Sequence, residues 1–204
     1  MEETNENANQ RVPGGHKPSL AFYHQNLKGN GCALKLELTP AGGSAPGYVY
    51  ATFASQATLM GKDVTGRPSS ATFDWKNSIT VKLDIGDLTE MIMVFRGIKE
   101  SIEDGRGLYH QSGKGVTIIR LEHAIDPVPG YVFGVSRKPP ESDNVVRHMI
   151  MLSISEAMSL SLALESMLGI IAFGIPREPP PAPPRDRGGF AGYGARGTAS
   201  AMSR

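Results

Sequence analysis

The chain reads Tyr23-His24-Gln25-Asn26-Leu27-Lys28-Gly29, and then, 86 residues on, Tyr109-His110-Gln111-Ser112-Gly113-Lys114-Gly115. Three further blocks follow each copy in the same order. Lys35-Leu36-Glu37 answers to Arg120-Leu121-Glu122 at an offset of 85, and Pro46-Gly47-Tyr48-Val49 to Pro129-Gly130-Tyr131-Val132 at 83. Leu83-Asp84-Ile85-Gly86-Asp87 corresponds to Leu152-Ser153-Ile154-Ser155-Glu156 at 69, so the second copy has lost a loop ahead of this block. Four blocks in one order describe an internal duplication.

Each copy carries its own periodicities. Leu34, Leu36 and Leu38 alternate with Lys35, Glu37 and Thr39, the period-two pattern of a strand with one dry and one wet face. Ile119 and Leu121 repeat it against Ile118, Arg120 and Glu122. Turn-rich stretches at 42–47 and 126–130 close hairpins into strands over 48–54 and 131–137, and Ile79, Val81, Leu83 and Ile85 alternate as a fourth strand. A helix is expected from about Gly86-Asp87 to near Gly97, and a second from Ser155-Glu156 with Ser155 as N-cap. The fold class is therefore α+β: two tandem ββββα repeats, at about 20–98 and 107–173, giving two antiparallel four-stranded sheets packed with helices whose outer faces stay wet.

Composition frames this body. The chain has 204 residues, 40% of them hydrophobic, which is enough to fill a core. Residues 1–18 and the 176–204 tail, with six prolines and five glycines, lack the apolar content to offset ordering and are expected to be disordered, leaving 19–175 as the domain. The net charge of +1 divides into −1 for 1–18, about −1 for 19–175 and +3 for the tail, so a polyanion partner must be met by local charge segregation. The single cysteine, Cys32, allows no intramolecular disulfide, and no secretory or transit leader is visible; a cytoplasmic location, in a bacterial or phage-infected cell, is expected. The apolar run 157–175 is interrupted by Ser159, Ser161, Glu165 and Ser166 and reads as a domain helix rather than a membrane span.

These residues resemble the Whirly family of single-stranded-DNA-binding proteins, structural relatives of the kinetoplastid mitochondrial guide-RNA-binding proteins. The likeness rests on Lys28-Gly29-Asn30-Gly31-Cys32-Ala33-Leu34, on Phe73-Asp74-Trp75 leading a strand into the first helix, and on the apolar helix that ends the domain, together covering roughly 20–175. The family signature is lysine-glycine-lysine before small and apolar residues; the second lysine is absent here. The resemblance implies the same repeated fold, single-stranded DNA as partner, and homo-oligomers, tetramers above all, joined through the helices.

Sequence-tolerant binding of single strands needs ring faces for bases and cations for phosphates. The rings on offer are Tyr23, Tyr48, Tyr50, Phe53 and Trp75 in the first copy, and Tyr109, Tyr131 and Phe133 in the second. Strand packing is their other use. Tyr48, Tyr50 and Tyr131 stand opposite Val49, Ala51 and Val132 and are expected as surface platforms. The cations are Lys28, Lys35, Lys76, Lys114, Arg120, Arg137 and Lys138, with Lys82 read as a solubilising lysine and Glu37 and Glu122 as neutralisers of Lys35 and Arg120. Arg185, Arg187, Phe190, Tyr193 and Arg196 give the tail the composition of an auxiliary contact to RNA or single strands. His24 and His110 have no partners at metal-ligand spacing and read as hydrogen-bonding residues; no metal and no cofactor are expected. No phosphate-binding loop, nucleophile elbow or paired-histidine motif occurs, so no enzyme activity is expected. The expected function is to coat or protect strands exposed in replication, recombination or repair. The rivals are an RNA-binding or annealing protein of the same fold and an interaction protein that has lost the ligand.

Overall fold

The computed structural model describes residues 19–62 and 65–175. The first repeat runs β1 (Ser19–His24), β2 (Cys32–Thr39), β3 (Tyr48–Ser55), a two-residue pair β4 (Gly61–Lys62) and β5 (Pro68–Ser69), β6 (Ile79–Leu83) and α1 (Ile85–Phe95). The second, after a 3-10 turn at Ile102–Gly105, runs β7 (Leu108–Ser112), β8 (Gly115–Ala124), β9 (Gly130–Lys138), β10 (Val146–Ser153) and α2 (Ile154–Phe173). Two antiparallel four-stranded sheets result, ordered β1-β2-β3-β6 and β10-β9-β8-β7. The repeat is thus the unit of architecture, as the four sequence blocks predict.

Leu34, Leu36, Phe53, Val81 and Leu83 turn inward from the first sheet and Ile119, Leu121, Phe133, Ile150 and Leu152 from the second, joining one core with both helices. The sheets also touch each other directly: the Phe53 and Phe133 rings meet edge to face with centroids 5.0 Å apart. From α2, the Ala157, Leu160, Leu164 and Ile171 stripe is buried, and Arg96 at the end of α1 holds Glu165 with two hydrogen bonds of 2.7 and 2.6 Å. α2 is the one helix among the described residues long and apolar enough to span a membrane.

The duplication fixes both helix starts, each earlier than expected: α1 begins at Ile85, and the α2 cap lies two residues before Ser155. Asp84 caps α1 by accepting from the Gly86 and Asp87 N–H groups, and Ser153, not Ser155, caps α2; Asp87 and Glu156 complete a capping box in each. These two acids reach further. Glu156 accepts from or shares a proton with His24 of the first repeat at 2.8 Å, and Asp87 does so with His110 of the second at 3.2 Å. Each repeat's conserved-in-position histidine therefore clamps the other repeat's helix, the hydrogen-bonding role read from sequence. α1 stops in a Schellman turn at Gly97, whose φ of 68° suits a residue without Cβ; Gly97 N–H donates to Val94 and Ile98 N–H to Met93.

The β2–β3 loop finishes the other helix: Ala41 and Gly47 donate to the carbonyls of Ile170 and Ile171 at 3.2 and 3.0 Å. A Cβ on Gly47 would lie 2.7 Å from Ala41 N and Thr39 O and 2.8 Å from Ile171 Cα, all backbone. Gly47→Ala is expected to cost about 1–3 kcal/mol by pushing the loop off the helix end, measurable as a lowered Tm.

One register expectation fails. Pairing of Leu36 with Ala51, and of Leu121 with Phe133, places residue 51 on 133, an offset of 82 rather than 83. A shift of one residue exchanges the faces of a strand. Val49 therefore corresponds to Tyr131, and Tyr50 to Val132. Tyr131 and Phe133, expected as binding rings, are core residues at 9% and 0% exposure, as is Phe53 of the first copy, and the Tyr131 hydroxyl donates to the Phe95 carbonyl at 3.3 Å.

His148 on β10 is buried where β10 crosses the end of the first sheet. Its Nδ1 bonds the Ser55 hydroxyl at 2.9 Å and its Nε2 has no hydrogen-bond partner among the described residues. Burial lowers its pKa below the ordinary imidazole value, and Asp74 opposes this more weakly. The unfolded chain consequently binds more protons between the folded value and about 6.5, so this residue's contribution to stability is complete above about 6.5 and falls as pH drops below it. Tm is expected to decline from neutral pH to about pH 5, and less steeply in His148→Leu. Beside His148, burial pushes the Cys32 thiol up to about 11, which keeps it unreactive at neutral pH.

Candidate nucleic-acid interface

The outer face of the first sheet is built from residues that alternate with the core. Register aligns Glu37, Tyr50 and Lys82 in one row and Lys35, Thr52 and Thr80 in the next. Tyr48 and Tyr50, two apart on β3, stand together with ring centroids 4.9 Å apart at 68°. Lys82 Nζ sits 4.3 Å above the Tyr48 ring, so the lysine read from sequence as merely solubilising is a neighbour of the rings. A hydrogen bond to the neighbouring Tyr48, together with charge repulsion from that group, raises the Tyr50 hydroxyl pKa above the ordinary tyrosine value.

Toward β1 the row continues through Lys35, whose Nζ lies 3.1 Å from Glu37 and 5.5 Å from the Trp75 ring centre. Trp75 meets Tyr23 edge to face at 6.4 Å, and Tyr23 meets Phe73 at 5.6 Å. Trp75 is 36% and Tyr23 58% exposed. The 73–75 segment is pinned by a bridge between Phe73 and Gln56 and by Asp74 N–H donating to the Ser55 carbonyl at 2.8 Å. Asp74 in turn accepts from the Asn77 side chain at 2.7 Å, which with the Asn77 N–H holds its carboxyl below the usual range. Phe73 belongs to this cluster and was not singled out from sequence as a site residue. Its position two residues before Trp75 in an extended segment is the signal for it.

At the β6 side the strip runs into a cleft of about 850 Å³ between the sheet and the β7–β8 hairpin, lined by Tyr50, Lys82, Gln111, Lys114 and Arg137 among others. Arg137 donates from Nε to the Thr117 hydroxyl at 2.9 Å and from Nη2 to the Thr80 carbonyl at 2.7 Å, and no carboxylate pairs with it among the described residues. Burial lowers its pKa, a mark of a cation held without a counter-charge. Rings and cations thus lie along the first sheet from Phe73 to Lys114 and Arg137, with Glu37 between the Trp75–Lys35 group and the Tyr48–Tyr50–Lys82 group. This face presents π-faces and positive charge side by side, the combination that holds bases and phosphates of an unpaired strand.

The other sequence-derived residues fall elsewhere. Lys28 and Lys76 are exposed near the strip, on the β1–β2 hairpin and beside Trp75. Tyr109 is 62% exposed on β7, the edge strand of the second sheet, paired with Ile118, and has no ring partner among the described residues. Lys138 is paired with Asp143 at 2.8 Å, and Arg120 lies on the outer face of the second sheet. Tyr131 and Phe133 are in the core, as above. Arg185, Arg187, Phe190, Tyr193 and Arg196 lie outside the described residues. Among the described residues no group of three histidine, cysteine or acidic side chains is placed to hold a metal ion.

With this geometry in place, solved structures supply the comparison. The crystal structure of WHY1 from Arabidopsis thaliana superposes with a TM-score of 0.61 at 18% identity, covering 79% of this chain and 89% of that one. This is the Whirly fold. The Whirly structure of the plant transcriptional regulator PBF-2 matches with a TM-score of 0.56 at 19% identity, over 78% of this chain and 84% of that one. A guideRNA-binding protein complex bound to a gRNA matches the same Whirly arrangement with a TM-score of 0.53 at 15% identity, over 75% of this chain and 90% of its own. No protein-family model and no curated protein sequence matches the chain.

Proposed function

We propose that this Whirly-fold chain is a non-enzymatic protein that binds single-stranded DNA with little sequence preference and covers strands exposed during replication, recombination or repair. The observation that carries this reading is the alignment of Tyr23, Phe73, Trp75 and Lys35 with Tyr50, Tyr48 and Lys82 on the outer face of the first sheet, either side of Glu37 and opening on Lys114 and Arg137. Stacking on rings is sequence-tolerant because every base has a π-face. Self-association, a tetramer above all, is part of the proposal: Ile154, Met158 and Leu162 form an exposed apolar stripe along α2, each about half exposed.

A second reading replaces DNA by RNA, and the match to the gRNA-bound complex favours it. Fluorescence polarisation with oligothymidine and oligouridine of equal length, over a salt series, separates the two. The DNA reading expects tighter binding to oligothymidine, weakening as salt rises. Equal or tighter binding to oligouridine selects the RNA reading.

A further inference from the structure

The two outer faces have diverged at equivalent positions. Where the first sheet carries Tyr50 and Lys82, the second carries Val132 and Met151; where the first has Thr52 and Thr80, the second has Gly134 and Met149. The long 56–78 connection that brings Phe73 and Trp75 onto the first sheet is replaced by the short 139–145 connection, which carries no ring. At these positions the second face has exchanged rings and a lysine for aliphatic and methionine side chains, while Tyr109 keeps the place of Tyr23 and Arg120 that of Lys35, and the face stays open: Met149 is 64% and Met151 39% exposed.

That face forms a cleft of about 640 Å³, walled on one side by residues 29–32 of the other repeat. Its apolar part is Ile118, Val132 and Met149 around Gly134. Arg120 and Arg147 lie on strands either side of β9, and neither has a hydrogen-bond or ion-pair partner among the described residues. A volume of this order takes a few side chains of a ligand. The lining has no aromatic ring on which a base could stack, and its two arginines outnumber its one carboxylate, Glu122, so it attracts anions. Unpaired arginines offer two-pronged sites for carboxylates, and methionine adapts to varied apolar partners.

We infer that this cleft docks an acidic peptide segment of a partner protein, seating an apolar side chain over Gly134 and its carboxylates on Arg120 and Arg147. The inference is independent of the strand-binding strip, which lies on the other sheet. Two single changes probe it. Arg147→Glu reverses an exposed charge. Gly134→Leu fills the floor, and a Cβ there meets only ordinary contacts, 3.4 Å to the His148 carbonyl and 3.8 Å to Met149.

The test uses the full chain and a short fluorescein-labelled peptide in which aspartates alternate with leucine and phenylalanine, read by polarisation. The expected result is saturable binding that weakens at least about tenfold in each variant, with oligothymidine affinity unchanged in both. Peptide binding that survives both changes overturns the inference. So does oligothymidine that competes with the peptide and loses affinity in Gly134→Leu, because the cleft then belongs to the strand. A change of oligomer mass in Gly134→Leu by light scattering also overturns it, since a second copy then covers the face.

Discussion

Phe133→Ala is expected to destabilise the fold by about 3–5 kcal/mol, the largest effect of any single substitution discussed above. Phe133 is fully buried, meets Phe53 across the two sheets, and pairs with Leu121 on one side and Ile150 on the other. Its removal opens a hole where the two repeats join, and the lost ring contact adds to the lost burial. Equilibrium urea unfolding measures the change, and Phe133→Leu should recover a substantial part of it. An alanine variant of unchanged stability and weakened oligonucleotide binding would return Phe133 to the surface, where a reading of its sequence block alone places it.

Replacing Tyr50 and Trp75 together by alanine is expected to weaken oligothymidine binding by at least about thirtyfold, since each stacked ring contributes about 1–3 kcal/mol. Both are partly exposed on the wet side of the first sheet and take no part in the core cluster, so the unfolding midpoint should move little. The two rings occupy different strata of the strip, Trp75 beside Tyr23 and Lys35 and Tyr50 beside Tyr48. Their losses should therefore add approximately. Control substitutions at Tyr109, which lies on the outer face of the other sheet, should leave affinity within about twofold.

Much of this architecture was legible because each repeat states it separately. Alternation in 34–38 and 79–83 fixed two strands of the first sheet, and the equivalence of Asp84-Ile85-Gly86-Asp87 with Ser153-Ile154-Ser155-Glu156 contains both capping boxes. Ser155 was the wrong cap because a serine beside an acid suits an N-terminus at more than one position; the acid three residues after Ser153 decides between them. The error at Tyr131 has a different source. Matching Pro-Gly-Tyr in both copies aligned letters across a turn whose length differs, while the alternation of Tyr131, Phe133 and Val135 with Val132, Gly134 and Ser136 already assigns the large residues to the dry face. Pattern within a strand outweighs similarity at its turn. The site was legible as a set of rings and cations but not as a surface, because Phe73 and Trp75 arrive through a long connection of no regular period, and because Lys82 joins Tyr48 only once β3 and β6 are paired.

Trp75 is the only tryptophan of the chain and stands in the middle of the ring cluster. Its emission therefore reports directly on the claim that the outer face of the first sheet carries an unpaired strand. Titration of the full chain with unlabelled oligothymidine, with binding followed independently by polarisation of a labelled copy, is the decisive measurement. The account predicts saturable quenching of Trp75 whose midpoint coincides with the polarisation midpoint, lost together with affinity as salt rises. Binding seen by polarisation while Trp75 emission stays unchanged would contradict it and place the strand on another face of the molecule.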